Sequence, residues 1–194
     1  MELINEGAEG KLYLLNSDVL LKIRTEKTYR LPVIDKKLRK QRNLREYKVL
    51  EKLFLNGVNV PKPLIVNNTD FSFQMEYLKG VNLKEILNEK LLFEIFNEII
   101  KMHKLNIVHH DLTTLNMLYY LNKVYLIDFG LSQFSSKIED KAVDLNLFLT
   151  CIKNEHPEFY FLKDNLLNLY KEKLDFGERV LVRLENIEKR GRNK

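Results

Sequence analysis

The chain is organised around the stretch HHDLTTLN at residues 109–116, which is followed by an apolar stretch and then by DFG at residues 128–130. Asp111 and Asn116 stand five positions apart, and Asp128 ends a predicted strand. An aspartate beside a hydroxyl can accept its proton, and an asparagine with a second aspartate can present hard oxygen ligands to magnesium. The stretch therefore predicts Asp111 as a catalytic base and Asn116 and Asp128 as magnesium ligands.

The order of these residues resembles the D-x-x-x-x-N and D-F-G motifs of protein kinases. In such sites magnesium bridges the terminal phosphates of ATP, and a strand lysine contacts the phosphates. Lys22 is the candidate, because strand alternation turns it to the opposite face from Leu21 and Ile23. Glu46, on a predicted helix 24 residues later, is the acid expected to hold Lys22. We therefore predict a phosphoryl-transfer site with ATP and magnesium as cofactors and with Lys22 and Glu46 as catalytic residues.

Two further segments are predicted to contact the nucleotide. The stretch EGAEG near the amino terminus is the candidate phosphate-covering loop, with Gly7, Ala8 and Glu9 as contacts, although it is not a G-x-G-x-x-G motif. The alternative for this stretch is an ordinary turn. Glu76 and Leu78, at the end of a predicted strand, are expected to present backbone C=O and N–H groups to adenine.

Length and composition restrict the class of protein. The chain has 194 residues, of which 45% are hydrophobic and 30% charged, and no apolar run approaches the roughly 20 residues needed to cross a bilayer. The amino terminus shows no secretory signal, so we expect a cytoplasmic protein without a membrane partner. The single cysteine, Cys151, cannot form an internal disulfide and is expected in the core.

Basic residues are concentrated between Lys22 and Lys48. This region contains 11 Lys and Arg against 3 acids, an excess of 11 − 3 = 8. Such an excess attracts an anionic partner, for which the phosphates of ATP, a phosphorylated protein or RNA are candidates. The alternative is a solvated helix face without a partner.

Hydrophobic periodicity predicts an α+β fold in two lobes, and the resemblance to protein kinases implies that this fold is protein-kinase-like. The N-lobe, residues 1–78, is expected to be small and β-rich with one long helix, and the C-lobe, residues 79–194, to be reduced and mainly helical. Strands are predicted at residues 12–15, 19–23, 64–67, 71–77, 117–120 and 124–127. Helices are predicted from about residue 35 to 55 and at residues 91–102, 144–153, 165–174 and 178–189, before a basic, mobile tail at residues 189–194.

Several segments outside the kinase motifs resemble the small atypical kinase of the KEOPS complex, in its archaeal type. These segments are KTYRLPVID at residues 27–35, Arg42, Arg45-Glu46, EDKAVDL at residues 139–145 and RGR at residues 190–192. The resemblance spans essentially the whole chain. This family usually has glycine at the position of His110, serine at that of Leu115 and alanine at that of Gly10. None of the three departures removes a metal or phosphate ligand.

The resemblance implies an ATP-using regulator of the subunit that transfers threonylcarbamoyl to adenosine in certain tRNAs. It implies as partners that subunit, other subunits of the complex, and tRNA, which would bind the basic surface and the tail. The sequence supports a regulatory role, because only 9 residues separate Gly130 from Asp140, too few for an extended activation segment or an A-P-E anchor. Without that docking platform, slow serine/threonine autophosphorylation and partner-stimulated ATP hydrolysis are expected rather than broad kinase activity.

Two alternatives for the function stay open. The chain could be an RNA-binding or scaffold subunit that keeps a nucleotide pocket for stability only, in which case the basic residues would matter most. It could also be a RIO-type kinase of ribosome assembly, a class that likewise lacks the activation segment. The EDKAVDL and KTYR segments disfavour this second alternative.

The histidines of the catalytic stretch allow another interpretation. His109, His110, Asp111 and Asp128 offer imidazole and carboxylate ligands, which suit zinc or iron. The competing interpretation makes His109 a buried, hydrogen-bonded residue that shapes the loop and His110 a loop residue only. The remaining two histidines carry no functional signal.

Overall fold

The computed structural model describes residues 1–7 and 10–192, in two compact units, Met1–Lys79 and Gly80–Lys194. The described part of the first unit contains five strands and one helix. These are β1 (Glu2–Gly7), β2 (Gly10–Asn16), β3 (Val19–Ile23), α1 (Pro32–Leu55), β4 (Pro63–Asn67) and β5 (Ser72–Glu76). The strands pair antiparallel in one sheet in the order β1-β2-β3-β5-β4.

The predicted hairpin of β2 and β3 is present, and β1 is an additional strand. Asn16 and Asp18 form the turn of the hairpin, where the Asp18 N–H donates to Asn16 Oδ1 at 3.0 Å. β1 was not predicted, because all six of its residues are exposed and its sequence therefore lacks a buried apolar face.

Helix α1 begins earlier than predicted and ends where predicted. It begins at Pro32 rather than near Asp35, since proline suits the first helical position, where no N–H is needed. It ends at Leu55, two residues before Gly57, whose φ of 73° lies in the left-handed region that glycine adopts readily. The helix buries one stripe along its length, which consists of Asp35, Asn43, Glu46, Val49, Leu50 and Leu53.

The second unit combines small sheets with four longer helices within residues 80–192. Its elements are β6 (Val81–Asn82), α2 (Leu83–Ile86), α3 (Glu89–Lys104), β7 (Ile107–Val108), β8 (Met117–Tyr120), β9 (Lys123–Leu126), β10 (Gln133–Phe134), α4 (Ile138–Glu155), α5 (Lys163–Lys173) and α6 (Gly177–Arg192). Strands β6, β8 and β9 form one sheet, and β7 pairs with β10. Short 3₁₀ turns occupy Thr114–Asn116 and Pro157–Leu162. The predicted hairpin of β8 and β9 is confirmed.

Helix α4 begins at Ile138, six residues before the predicted start at Asp144. Glu139 and Asp140 occupy its first turn, where acidic side chains interact favourably with the helix dipole. Because the helix starts so early, only the two-residue strand β10 lies between Gly130 and α4. The expected absence of an extended activation segment is confirmed over this described part of the chain.

The last helix extends into the predicted tail. Helix α6 continues to Arg192, so the predicted helix end at residue 189 is wrong, whereas the mobility of the tail stays a prediction. Asn193 and Lys194 lie outside the described residues. None of the described helices is both long and apolar enough to cross a bilayer.

Candidate active site

Lys22 and Glu46 form a buried ion pair in the first unit. Lys22 Nζ lies 2.6 Å from Glu46 Oε1, and the two residues are 6% and 2% exposed. β3 carries Lys22, and Glu46 belongs to the buried stripe of α1. The structure therefore brings together the strand lysine and the helix acid that the kinase pattern had selected.

Arg24 is a second cation on the same carboxylate. Its Nη2 lies 2.5 Å from Glu46 Oε2, and Arg24 is 2% exposed. Arg24 was not predicted, although it stands two positions after Lys22, directly past the end of β3, where strand alternation would turn it to the same face. One carboxylate thus holds two buried cations, and each of its oxygens accepts from one of them.

The segments predicted to contact the nucleotide belong to the same unit. Gly7 pairs with Gly10 where β1 and β2 meet, whereas Ala8 and Glu9 lie outside the described residues. A Cβ on Gly10 would lie 2.4 Å from the backbone oxygen of Ile23, so this chain requires glycine where the KEOPS family usually has alanine.

The predicted adenine-binding residues follow the last strand of the first unit. Glu76 ends β5, and its N–H donates to Lys62 O at 2.9 Å. The Tyr77 N–H donates to Asp18 O at 2.8 Å, so Leu78 comes directly after the last residue held by the sheet. Their contact with adenine stays a prediction.

The catalytic stretch in the second unit brings Asp111 and Asn116 together. Asn116 Nδ2 donates to Asp111 Oδ2 at 2.8 Å and to the Asp111 backbone oxygen at 2.9 Å. The 3₁₀ turn carries Asn116, whose own backbone oxygen accepts from the Ile127 N–H at 3.0 Å. Since Ile127 precedes Asp128, this bond joins Asn116 to the segment that carries the second predicted magnesium ligand.

Asp128 stands at a special point of the backbone. Its φ is 57°, a left-handed conformation in which an aspartate is tolerated better than most residues, and its side chain is exposed. The Gly130 N–H donates to Asp128 Oδ1 at 3.3 Å. Phe129 stands between these two residues in the sequence and is buried. The centroid of its ring lies 4.7 Å from that of the His109 ring. The buried phenylalanine anchors the segment while the carboxylate points outward.

Asp144 binds backbone N–H groups at the start of the catalytic stretch. This fully buried carboxylate accepts the backbone N–H groups of His109 at 2.6 Å and His110 at 2.7 Å. Burial alone would raise the pKa of Asp144, but the hydrogen bond from His103 and the nearby His103 and His109 rings hold that pKa below its ordinary value. An ionised Asp144 therefore fixes the two residues that precede the predicted base. Its only sequence signal was its place in the EDKAVDL segment.

His103 and Tyr170 complete this support. His103 Nε2 lies 3.3 Å from Asp144 Oδ2, and its Nδ1 lies 2.8 Å from the Tyr170 hydroxyl. Burial raises the pKa of Tyr170, and the charge of Asp144 raises it further, so the hydroxyl keeps its proton and donates it to Nδ1. His103 Nε2–H then donates to Asp144. His103 carries no functional signal in the sequence, since its partners lie far away along the chain.

The transition-metal interpretation of the histidines is wrong for the part of the chain that the structure describes. No group of three or more His, Cys, Asp or Glu in residues 1–7 and 10–192 is arranged to hold a metal ion. His109 is instead fully buried, and its Nε2 lies 3.0 Å from the Ile127 backbone oxygen. It shapes the loop, as the competing interpretation expected.

The basic region of α1 and its approach is partly neutralised within the protein. Besides the two cations on Glu46, Arg30 and Arg39 approach the buried Asp35 at 3.6 and 2.6 Å. These contacts take up four of the 11 cations and two of the 3 acids, so the rest of the region carries an excess of 7 − 1 = 6 rather than 8. Exposed basic residues of the region include Lys36, Lys37, Lys40 and Lys48.

Comparison with known proteins identifies the family of this chain. The RIO domain family (RIO1) matches residues 18–145. The KEOPS complex subunit Bud32 of Pyrococcus abyssi is 38% identical, over 99% of this chain and 96% of the relative. The chain belongs to the Bud32 family. The EKC/KEOPS complex subunit BUD32 of Enterocytozoon bieneusi is 37% identical over the full length of both chains.

Other similar proteins agree with membership in the Bud32 family. A probable bifunctional tRNA threonylcarbamoyladenosine biosynthesis protein of Methanobrevibacter smithii is 38% identical, over 98% of this chain and 36% of that protein. The Rio2 kinase of Chaetomium thermophilum, solved as an ADP/Mg²⁺-phosphoaspartate complex, has a TM-score of 0.65 at 14% identity, over 100% of this chain and 72% of that one. This likeness confirms the predicted α+β kinase-like fold. The RIO domain is thus the family of the kinase domain, while the two relatives reported over nearly their full length are KEOPS subunits.

The oxygen donors of this Bud32 family member suit magnesium. Because Asn116 Nδ2 is engaged with Asp111, the amide oxygen of Asn116 is the atom left to bind a cation. Asp128 adds an exposed carboxylate. Amide and carboxylate oxygens without imidazole or thiolate are the ligands that magnesium prefers and zinc does not.

Proposed function

We propose that this chain is an ATP-dependent phosphotransferase of the serine/threonine type, with ATPase activity, and that it acts as the regulatory subunit of a KEOPS assembly in threonylcarbamoyladenosine modification of tRNA. The observation that carries the catalytic part is the junction of Asp111, Asn116 and Asp128. Asn116 contacts Asp111 through its side chain and the residue before Asp128 through its backbone. A base and two cation ligands are the parts that phosphoryl transfer requires on this side of the nucleotide.

Each residue has one role in the proposal. Asn116 and Asp128 would hold magnesium, which would neutralise charge on the terminal phosphates. Asp111 accepts the proton of the attacking hydroxyl or orients the attacking water, and the hydrogen bond from Asn116 Nδ2 at 2.8 Å holds it for this task. Lys22 would contact nucleotide phosphates, and Glu46 orients Lys22.

The remaining nucleotide contacts come from backbone groups of the first unit. Gly7, Ala8 and Glu9 would cover the phosphates, and Glu76 and Leu78 would bind adenine. These assignments follow from the positions of the five residues in a kinase pattern. The β1–β2 pairing at Gly7 is consistent with a covering loop that connects two strands.

The regulatory part of the proposal is supported by the relatives and by the short segment after Asp128. Relatives that match this chain over nearly its full length are named as KEOPS subunits, and another is named for threonylcarbamoyladenosine biosynthesis. Only β10 lies between Gly130 and α4, so the chain offers little surface to position a free peptide. We therefore expect the threonylcarbamoyl-transfer subunit to stimulate ATP hydrolysis. The expected cytoplasmic location stays a prediction.

The catalytic part is tested by magnesium-dependent ATP hydrolysis of the purified chain. Asp128→Ala should abolish turnover, and Asp111→Ala should lower it by about 10²- to 10⁴-fold, because a general base contributes that much. Glu158→Gln, which removes an exposed carboxylate of the second unit, is the matched control and should behave like the parent. Hydrolysis by Asp128→Ala at the parental rate would exclude the proposed mechanism.

The regulatory part is tested by adding the threonylcarbamoyl-transfer subunit to the same assay. Turnover should rise for the parent and stay at background for Lys22→Ala, since the partner cannot replace the phosphate contact. An unchanged rate for the parent at saturating partner would remove the regulatory role and leave an isolated ATPase.

A second candidate function is an RNA-binding or scaffold subunit. It is favoured by the exposed Lys36, Lys37 and Lys40 on α1. Replacing these three lysines by glutamine should then weaken tRNA binding and reduce the slope of log affinity against log salt by about 0.7 for each single-strand phosphate that is no longer neutralised. If tRNA binding needs these lysines while Asp128→Ala leaves modification activity intact, the scaffold function is the correct one.

A further inference from the structure

His110 occupies a conformation that a residue with a Cβ adopts only at an energetic cost. Its φ is 63°, in the left-handed region, where the KEOPS family usually has glycine. Such a conformation persists only when the surrounding contacts hold it. The contacts of the imidazole therefore distinguish this position from a glycine.

The backbone and the side chain of His110 are bonded to different parts of the second unit. Its N–H donates to Asp144 Oδ1 at 2.7 Å, a bond that a glycine would also make. Its side chain is half-buried, and His110 Nε2 accepts from Gln133 Nε2 at 2.8 Å. The second bond exists only because residue 110 is a histidine.

Gln133 belongs to the short segment that follows the predicted magnesium ligand Asp128. As part of β10 it pairs with Val108 of β7. Further along, the Ser135 N–H donates to Asn106 O at 2.8 Å. The segment is therefore attached by its backbone to residues 106–108, before the catalytic stretch, and by the Gln133 side chain to His110, directly before Asp111.

We propose that His110 and Gln133 are positioning residues that couple the predicted base Asp111 to the segment carrying Asp128. This inference rests on the proposed phosphoryl-transfer function. Strand pairing holds the residues before the catalytic stretch, whereas the side-chain bond holds the stretch itself at His110. The chain has no extended activation segment to order this region, and the bond supplies part of that order. Family members with glycine at this position lack the bond.

The test compares His110→Gly, Gln133→Ala, the double variant and His110→Asn, all in the full chain. Asparagine tolerates the left-handed region but is too short to reach Gln133, so it separates the side-chain bond from the backbone conformation. His110→Gly, Gln133→Ala and His110→Asn should each lower kcat for ATP hydrolysis by at least about tenfold, as loss of an outer-shell contact does, while KM for ATP stays within about threefold.

Thermal stability separates the proposed coupling from a purely structural role. Glycine at position 110 relieves the unfavourable φ, so under the proposal His110→Gly should keep its thermal unfolding midpoint within about 4 °C of the parent while its turnover falls. The double variant should be no slower than the slower single variant, because both changes remove the same bond. Multiplied effects, or a kcat that falls only together with the unfolding midpoint, would overturn the coupling.

Hydrogen exchange gives a readout that does not depend on catalysis. Backbone amides of residues 132–135 should exchange faster in His110→Gly and Gln133→Ala than in the parent, whereas amides of α3 should not change. If the parent hydrolyses no ATP, the proposed function fails, and exchange still decides whether the bond orders the segment. Unchanged exchange in both variants would overturn the inference even if the parent is an active ATPase.

Discussion

Glu46 in the first unit and Asp144 in the second are both buried carboxylates, 2% and 0% exposed, but they stabilise their surroundings in different ways. Glu46 binds two charged side chains, Lys22 and Arg24, at 2.6 and 2.5 Å. Asp144 mainly accepts backbone N–H groups, those of His109 and His110. The contacts of Glu46 therefore depend on which side chains stand at positions 22 and 24, whereas Asp144 can hold the backbone of the loop with any side chains at positions 109 and 110.

The largest effect is expected where a carboxylate compensates two buried cations. Glu46→Ala leaves the Lys22 ammonium and the Arg24 guanidinium buried without their acid, and it should lower the free energy of unfolding by about 3 to 5 kcal/mol. Denaturant titration measures this loss. Lys22→Met is the matched comparison, because Arg24 still pairs with Glu46 in that variant. A smaller loss in the free energy of unfolding for Lys22→Met, together with abolished ATP turnover, would show that Lys22 serves the reaction more than the stability of the first unit.

The opposite result would weaken the distinction between the two carboxylates. If Lys22→Met and Glu46→Ala reduce stability equally, the ammonium itself stabilises the first unit and Arg24 does not substitute for it. The same titrations decide between these outcomes.

Asp144→Asn should have the next largest effect. The amide keeps the shape of the side chain but replaces one acceptor oxygen by a donor, which then faces a backbone N–H of His109 or His110. An unsatisfied buried N–H costs about 1 to 3 kcal/mol, so we expect a loss of about 3 kcal/mol at most. Asp175→Asn, an exposed aspartate of the same unit, is the control. Equal stability of the two variants would show that the loop does not need an anionic support.

Local patterns identified the charged residues that form the predicted site. Lys22 followed from strand alternation and Glu46 from the kinase pattern, and the structure pairs them at 2.6 Å. The contact between Asp111 and Asn116 lies within one loop, and a short hairpin, whose strands pair locally, connects Asn116 to Asp128. These features follow from a recognisable motif or from contacts close in sequence, and both can be inferred without coordinates.

The supporting residues could not be predicted in the same way. Asp144 contacts His109 across 35 positions, and His103 contacts Tyr170 across 67, so no local period relates them. The left-handed φ of His110, 63°, is also invisible in the sequence, because histidine itself gives no sign of it. Only the glycine usual in the KEOPS family at this position indicates the backbone conformation. Arg24 was missed for another reason, since a basic residue on a strand is most often exposed.

Tyr170→Phe tests how far the support of the loop extends beyond Asp144. The change removes the hydroxyl that donates to His103 Nδ1 at 2.8 Å and leaves that nitrogen buried without a donor. We expect a loss of about 1 kcal/mol in the free energy of unfolding, measured by denaturant titration. His103→Asn would lose both bonds of the imidazole and should cost more. If Tyr170→Phe is as stable as the parent, the support ends at His103.

The pH dependence of stability gives the smallest and most specific test of the difference between the two carboxylates. The pKa of Asp144 is held below its ordinary value by His103 and His109 against the effect of burial, so folding favours its ionised form. The stabilisation is complete above the pKa of an unfolded aspartate, about 3.9, and is lost as the pH falls through the lower folded-state pKa. The measured quantity is the difference in unfolding free energy between the parent and Asp144→Asn. This difference should be constant from pH 7 to about 5 and should shrink on further acidification. A difference that grows as the pH falls would mean that the buried carboxyl is protonated in the folded protein. One of its two oxygens would then carry a proton and face the N–H of His109 or His110, which is an unfavourable contact between two donors.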